Sequence, residues 1–260
     1  VFKEEVKVLD AGIVKLVDKM GDDYSIIRAA RVSTGTAERI DEKKDSGLIS
    51  YLYRNKHLSP IEAVTLTFYV KAPLFVVSQI VRHRTFSFNI ASQRYKEFIP
   101  ECYTPEDYRV QDTKNKQNSF EDENFNKENK KDFDELLGEF YNIYEGMYKS
   151  FNEDGMAREQ ARIITPSAQY TELYFTADLR NLLHFIELRN HPHAQKEIRV
   201  YAQAILEILM KDESLKWTMK VFNEMNELEN LMSKAVNMDR IKLKQYLLNF
   251  TEDATNKTVK

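Results

Sequence analysis

Across residues 64–70 the apolar side chains Val64, Leu66, Phe68 and Val70 alternate with Thr65, Thr67 and Tyr69, the two-residue period of a strand with one buried face. The period then changes. Pro73 stands where a first helical residue belongs, and Leu74, Val77, Ile80 and Val81 follow at helical spacing, which predicts a helix ending near Val81. On it Gln79 and Arg82 are three apart and share a face. The second half of the chain repeats this order. Residues 168–176 contain a strand-like run, and Asp178 is placed to cap a helix through Arg189 whose buried stripe is Leu179, Leu182, Leu183 and Ile186. That leaves Arg180, His184 and Arg189 to other directions.

Further helices are predicted over residues 133–151, ended by Gly155, over 157–164, stopped by Pro166, over 194–210, and over 227–248. Residues 95–100 read as a short extended segment. Residues 111–131 carry almost no aliphatic side chains and are predicted to be an exposed, flexible surface loop, because they bury too little to offset their ordering entropy. No repeat and no Pro/Gly/Ser linker divides residues 1–260, so a single domain is expected. Helices dominate, with strands between separate helical runs, which points to an α+β fold rather than regular βαβ repetition.

Composition narrows the function. With 260 residues, 42% of them hydrophobic, the chain has ample material for a packed core, and its formal net charge of −3 argues against a general nucleic-acid binder. Its single cysteine, Cys102, permits no internal disulfide and has no cationic neighbour in sequence, so no reactive role is expected for it. No stretch has the length of an apolar membrane span or the layout of a signal peptide, and a reducing cytoplasm fits best. Only 7 glycines occur, none in a GxGxxG or GxxxxGK[ST] run. If the chain binds a nucleotide, side chains must hold the phosphates.

Residues 82–94, RHRTFSFNIASQR, supply such side chains: three guanidinium groups and an imidazole, with Ser92 and Gln93 close by. On a slightly acidic chain this run reads as an anion site. His191 and His193 raise the question of zinc, but no CxxC or HExxH spacing supports it, and no metal site is expected.

Arg82-His83-Arg84 followed by seven residues and Ser92 resembles the signature of the flavin-dependent thymidylate synthases, the ThyX family. The resemblance extends to His57-Leu58-Ser59-Pro60, residues 68–73 (FYVKAP), Ser92-Gln93-Arg94-Tyr95, residues 157–162 (AREQAR), Leu188-Arg189 and His193-Ala194-Gln195, in family order over about residues 50 to 205. It implies a ThyX-like domain with an antiparallel-type sheet flanked by long helices. It also implies a homotetramer that binds FAD at subunit interfaces and methylates dUMP to dTMP, with methylenetetrahydrofolate as carbon donor and NADPH as reductant. The glycine shortage agrees with a flavin held by side chains.

Carried over by position, the resemblance implies FAD contacts from His57, Ser59, Arg82, His83, Arg84, His184 and Arg189. It implies dUMP contacts from Gln79, Arg82, Ser92, Gln93, Arg94, Arg162 and Arg189. Arg189 is the expected catalytic residue, since a cation at the N3 and carbonyl edge of uracil stabilises the charge that develops as C5 becomes nucleophilic. Ser92 is read as a ligand, because a nucleophilic serine needs an adjacent base. Two positions depart from the family: Ile90 stands where many members carry Glu, and His184 where an amide is common. Two other readings are a flavoprotein that reduces a different substrate and a non-catalytic nucleotide-binding protein.

Overall fold

The computed structural model describes residues 4–36, 41–95, 100–116 and 118–236. Its centre is an antiparallel sheet of β1 (Glu5–Val8), β2 (Gly12–Met20), β3 (Thr65–Pro73), β4 (Ser87–Ile90) and β7 (Tyr170–Asp178), in the order β1-β2-β3-β7-β4. The helices are α1 (Asp23–Arg31), α2 (Glu42–Arg54), α3 (Leu74–Ile80), α4 (Glu123–Glu153), α5 (Arg158–Ala161), α6 (Leu179–Arg189), α7 (Lys196–Met210) and α8 (Lys216–Val236). A separate hairpin is formed by β5 (Arg109–Gln111) and β6 (Ser119–Glu121).

The two predicted strand–helix units form as expected. In β3, Leu66, Phe68, Val70 and Ala72 are buried, and in β7 so are Leu173, Phe175 and Ala177. Phe68 and Phe175 stack with ring centroids 5.4 Å apart. Pro73 caps α3 rather than beginning it, because it still pairs with Tyr170 in the sheet. Asp178 caps α6 by accepting from the Asn181 N–H at 2.9 Å, and Leu179, Leu182, Leu183 and Ile186 are buried as predicted.

The register of β3 against β7, Thr65 opposite Asp178 and Pro73 opposite Tyr170, positions the site. Antiparallel pairing makes the two strands end at opposite edges of the sheet. The helices that follow them therefore run back toward one another, and the C-terminal end of α6 meets that of α3.

Residues 111–131 differ from expectation. Exposed and half-buried positions mix, and after the connection at 112–116 and Asn118 the residues form β6 and the first turns of α4 rather than a continuous loop. Asp122 caps α4 by accepting from the Asn124 and Phe125 N–H groups, and Glu123–Lys127 and Lys131–Glu135 pairs follow at i,i+4 spacing. This start of the helix is held by its cap and by contacts with Tyr108: Asn126 exchanges hydrogen bonds with the Tyr108 backbone, and Phe133, on which Phe125 packs, lies edge-on to the Tyr108 ring. The helix ends as predicted, with Gly155 in the left-handed region at φ +79°. Tyr95 lies in a turn, and residues 96–99 of the expected extended segment are outside the described residues. The final helix begins earlier than expected, at Lys216, where the buried Asp23 carboxylate accepts from the Trp217 and Thr218 N–H groups. Its predicted continuation to residue 248 also falls outside the described residues.

Candidate active site

Arg82, His83 and Arg84 lie in the turn between α3 and β4. Two hydrophobic anchors bracket them. Ile80 is buried before the run and Phe86 after it, with Phe86 stacked on Phe175 at 5.1 Å. Between these anchors Arg82 and Arg84 are exposed, while His83 turns inward, edge-on to Phe185 at 4.8 Å.

Arg189, at the end of α6, reaches the same turn. Its Nε–H donates to His83 Nε2 at 3.0 Å and its Nη2 donates to the Gln79 carbonyl at 3.4 Å. Burial, the Arg189 charge and His184 lower the His83 pKa from 6.5 to about 4. A neutral ring whose Nε2 accepts carries its proton on Nδ1. Burial, and then the nearby Arg82, also lower the pKa of Arg189. Two guanidinium groups thus face one region without a counter-ion. The Gln79 carboxamide donates from Nε2 to Gln195 Oε1 at 2.6 Å.

A second group gathers Ser92, Gln93, Arg94 and Arg162. Ser92 Oγ accepts from the Arg94 N–H at 3.3 Å, and the Thr165 hydroxyl donates to Gln93 Oε1 at 3.5 Å. Arg94 pairs with Glu159 at 3.1 Å, with both side chains more than half exposed. Arg158 donates to the Tyr95 carbonyl at 3.2 Å, and Arg162 is exposed in the short 3-10 turn Arg162–Ile164. Among the described residues no hydrogen bond or ion pair joins this group to Gln79, Arg82 and Arg189. The dUMP residues expected from the sequence therefore lie in two clusters of one chain. Ile90, at the end of β4, is opposite Leu173 and presents an exposed apolar side chain where the family's carboxylate was expected.

The third group contains His57, Ser59 and His184. His57 and Ser59 are exposed, His57 lying edge-on to Tyr51 with centroids 6.1 Å apart and Ser59 opening the 3-10 turn Ser59–Ala63. A cavity of about 230 Å³ separates this turn from α6, lined by Tyr53, Leu58, Ile61, Arg180, His184 and Glu187. His184 Nδ1 is 3.6 Å from Glu187, and its side chain is among the charges that lower the His83 pKa.

Among the other described arginines, Arg28, Arg158 and Arg199 donate to a hydroxyl or a backbone carbonyl, and the rest are neutralised internally. Arg31, Arg54, Arg94, Arg109 and Arg180 each pair with a carboxylate. Arg82, Arg84, Arg162 and Arg189 have no carboxylate partner among the described residues. Their planar donor forks suit phosphate or a carbonyl-rich ring edge. A dinucleotide and a nucleotide monophosphate fit that donor set, and the 230 Å³ hollow beside it offers space for part of a ligand. Sequence reasoning gave no role to Gln195, although its block contributed to the resemblance. Nothing in the spacing brings position 195 to position 79.

The arrangement gathers side-chain cations suited to an anion at the meeting point of two helix ends. The family model described as "Thymidylate synthase complementing protein" matches residues 15–212. A flavin-dependent thymidylate synthase from Thermus thermophilus is 46% identical over 212 residues, covering 82% of this chain and 76% of that protein. One from Thermosipho melanesiensis is 42% identical over 225 residues, covering 85% and 95%. Among solved structures, the UMP/dUMP methylase PolB from Streptomyces cacaoi, bound with 5-Br dUMP, superimposes with a TM-score of 0.73 at 31% identity, over 84% of this chain and 97% of PolB. The chain belongs to the flavin-dependent thymidylate synthase family.

Proposed function

We infer that this chain methylates dUMP to dTMP, with FAD as redox cofactor, methylenetetrahydrofolate as one-carbon donor and NADPH as reductant. The observation that carries the reading is the set of guanidinium groups without carboxylate partners at the α3 and α6 ends, on a chain of this family. Bound FAD supplies the redox chemistry, taking reducing equivalents from NADPH and providing hydride for the methyl group.

The protein's own part is to bind, orient and polarise. His83 and Arg84, with His57, Ser59 and His184, hold the flavin. Gln79, Ser92, Gln93, Arg94 and Arg162 hold dUMP, and Arg82 and Arg189 serve both ligands. His83 accepts the Arg189 Nε–H and so fixes the plane of the guanidinium, leaving Nη1 free for a ligand. Placed at the uracil N3 and carbonyl edge, that charge stabilises the anion developing toward C5. The half-buried setting, which disfavours the cation when alone, strengthens its attraction to such an anion. Cys102 is not poised as a nucleophile: burial and nearby Asp10 and Glu101 push its thiol up to about 11.

The working form is a homotetramer whose subunits together complete each site. Two features favour this reading. Leu136, Phe140, Ile143 and Met147 are exposed along one face of α4 at spacings of four, three and four, the kind of stripe another helix covers. Tyr95 and Ile163 are 82% and 79% exposed beside the Arg94 and Arg162 group, an apolar margin suited to a second copy. No helix among the described residues is long and apolar enough to cross a membrane, and with its single cysteine we place the protein in the cytoplasm. Light scattering on the purified protein tests the assembly: a flavin-bearing tetramer is expected, and a flavin-saturated monomer overturns it. Absorbance tests the activity: NADPH oxidation should require both dUMP and methylenetetrahydrofolate, whereas oxidation independent of dUMP marks a reductase of another kind.

A further inference from the structure

We propose that Gln195 is a positioning residue, holding the carboxamide of Gln79 through a direct hydrogen bond from a segment that the buried Glu197–Arg109 pair fixes in place. This rests on the reading of Gln79 as a dUMP ligand. It adds residues of α7 and of the β5–β6 hairpin that touch neither the nucleotide nor the flavin.

Gln195 Oε1 accepts from Gln79 Nε2 at 2.6 Å. An amide oxygen accepts only from an N–H, so Gln79 presents its own Nε2 there, and a flipped Gln79 would set two carbonyl oxygens against each other. Two residues on, Glu197 is 5% exposed, and Arg109 Nη2 donates to both of its carboxylate oxygens, at 2.8 and 2.9 Å. The Tyr103 hydroxyl donates to it at 3.3 Å. Burial pushes this carboxyl pKa up, but the Arg109 hydrogen bond and charge bring it below the usual glutamate value. Glu197 is therefore an ionised carboxylate, and its pair with Arg109 fixes the first turn of α7 beside Gln195. One N–H and the carbonyl oxygen of Gln79 are then left for the nucleotide.

The hairpin secures the segment that carries Gln195 twice. Arg109 of β5 holds Glu197, and Glu121 of β6 holds Lys196 at 2.6 Å, both in the first turn of α7 immediately after Gln195. Position 195 is itself exposed, so its substitution opens no core.

The test measures dUMP binding by titration calorimetry and steady-state KM and kcat for the FAD-loaded enzyme, in wild type and Gln195→Met. Gln195→Met keeps length without hydrogen bonds, and should raise Kd and KM for dUMP about five- to tenfold, the worth of one hydrogen bond, with kcat within about twofold. A purely structural role would instead lower kcat and affinity together. Gln195→Met with unchanged dUMP affinity overturns the proposal while leaving dUMP methylation standing. Wild-type enzyme that binds no dUMP overturns both.

Discussion

The two arginine clusters differ in how they are held. Around α3 and α6, Arg189 is half-buried and fixed by His83 and the Gln79 carbonyl, and Gln79 is fixed by Gln195. Around β4 and α5, Arg94 and Glu159 form an exposed pair, and Arg162 is exposed beside the apolar Ile163. Exposed ion pairs contribute about 0–1 kcal/mol and impose little order. The first cluster is preorganised within one chain, whereas the second is suited to become ordered against a ligand and a neighbouring subunit. Preorganised charge does most for a transition state, while adaptable charge chiefly supplies binding.

The largest effect should therefore come from the first cluster. Arg189→Ala is expected to lower kcat by about 100-fold or more, the range seen when a preorganised electrostatic contact is removed, with less effect on FAD retention. Near-normal dTMP formation at saturating dUMP would assign the role to another arginine. In the second cluster, Arg162→Ala should raise KM for dUMP about tenfold, the worth of a charge-assisted hydrogen bond, with a smaller change in kcat. If subunits share sites, refolding the two variants together should restore part of the activity that neither has alone. No recovery in mixed tetramers would place both clusters of each site in one subunit.

A smaller effect separates the clusters by pH. His83 has its pKa lowered from 6.5 to about 4, so the folded chain declines a proton that the unfolded chain accepts throughout that window. Its contribution to stability is present above pH 6.5 and is lost progressively as pH falls toward 4. His83→Gln keeps an acceptor for Arg189 without titrating. Its Tm should fall less than the wild-type Tm between pH 7 and pH 5, by about 2–6 °C for a difference of about 1–2 kcal/mol once solvent screening of the half-buried ring is allowed for. Identical Tm-against-pH curves would show that His83 is not held neutral. The smallest effect expected is that of Cys102→Ala, with stability changed by about 1 kcal/mol or less and turnover essentially unchanged. Loss of product with FAD and dUMP still bound would point instead to an enzyme thiol acting on uracil.

The same contrast governs what the sequence reveals. The units that carry the first cluster were legible because their signals are local: alternation in β3, Pro73 beside α3, and Asp178 with its apolar stripe in α6. The start of α4 was misread because it rests on a cap and on polar and ring contacts with Tyr108 rather than on aliphatic periodicity. β2 carries an alternating stretch through Gly12, Val14 and Leu16, but the register shifts between Leu16 and Asp18, which leaves Val17 39% exposed and breaks the pattern. The residues of both clusters could be named from the family motif. That they form two groups, and that Gln195 and Glu197 stand behind one of them, depends on how α7 packs beside α3, which no local spacing encodes.

The most direct test is mass spectrometry for dTMP after incubating the purified protein with dUMP, methylenetetrahydrofolate, FAD and NADPH, alongside four mixtures that each omit one component. The account predicts dTMP in the complete mixture, its loss when dUMP, methylenetetrahydrofolate or NADPH is omitted, and its loss without added FAD once bound flavin has been stripped. Flavin-loaded, folded protein that makes no dTMP in the complete mixture would contradict it.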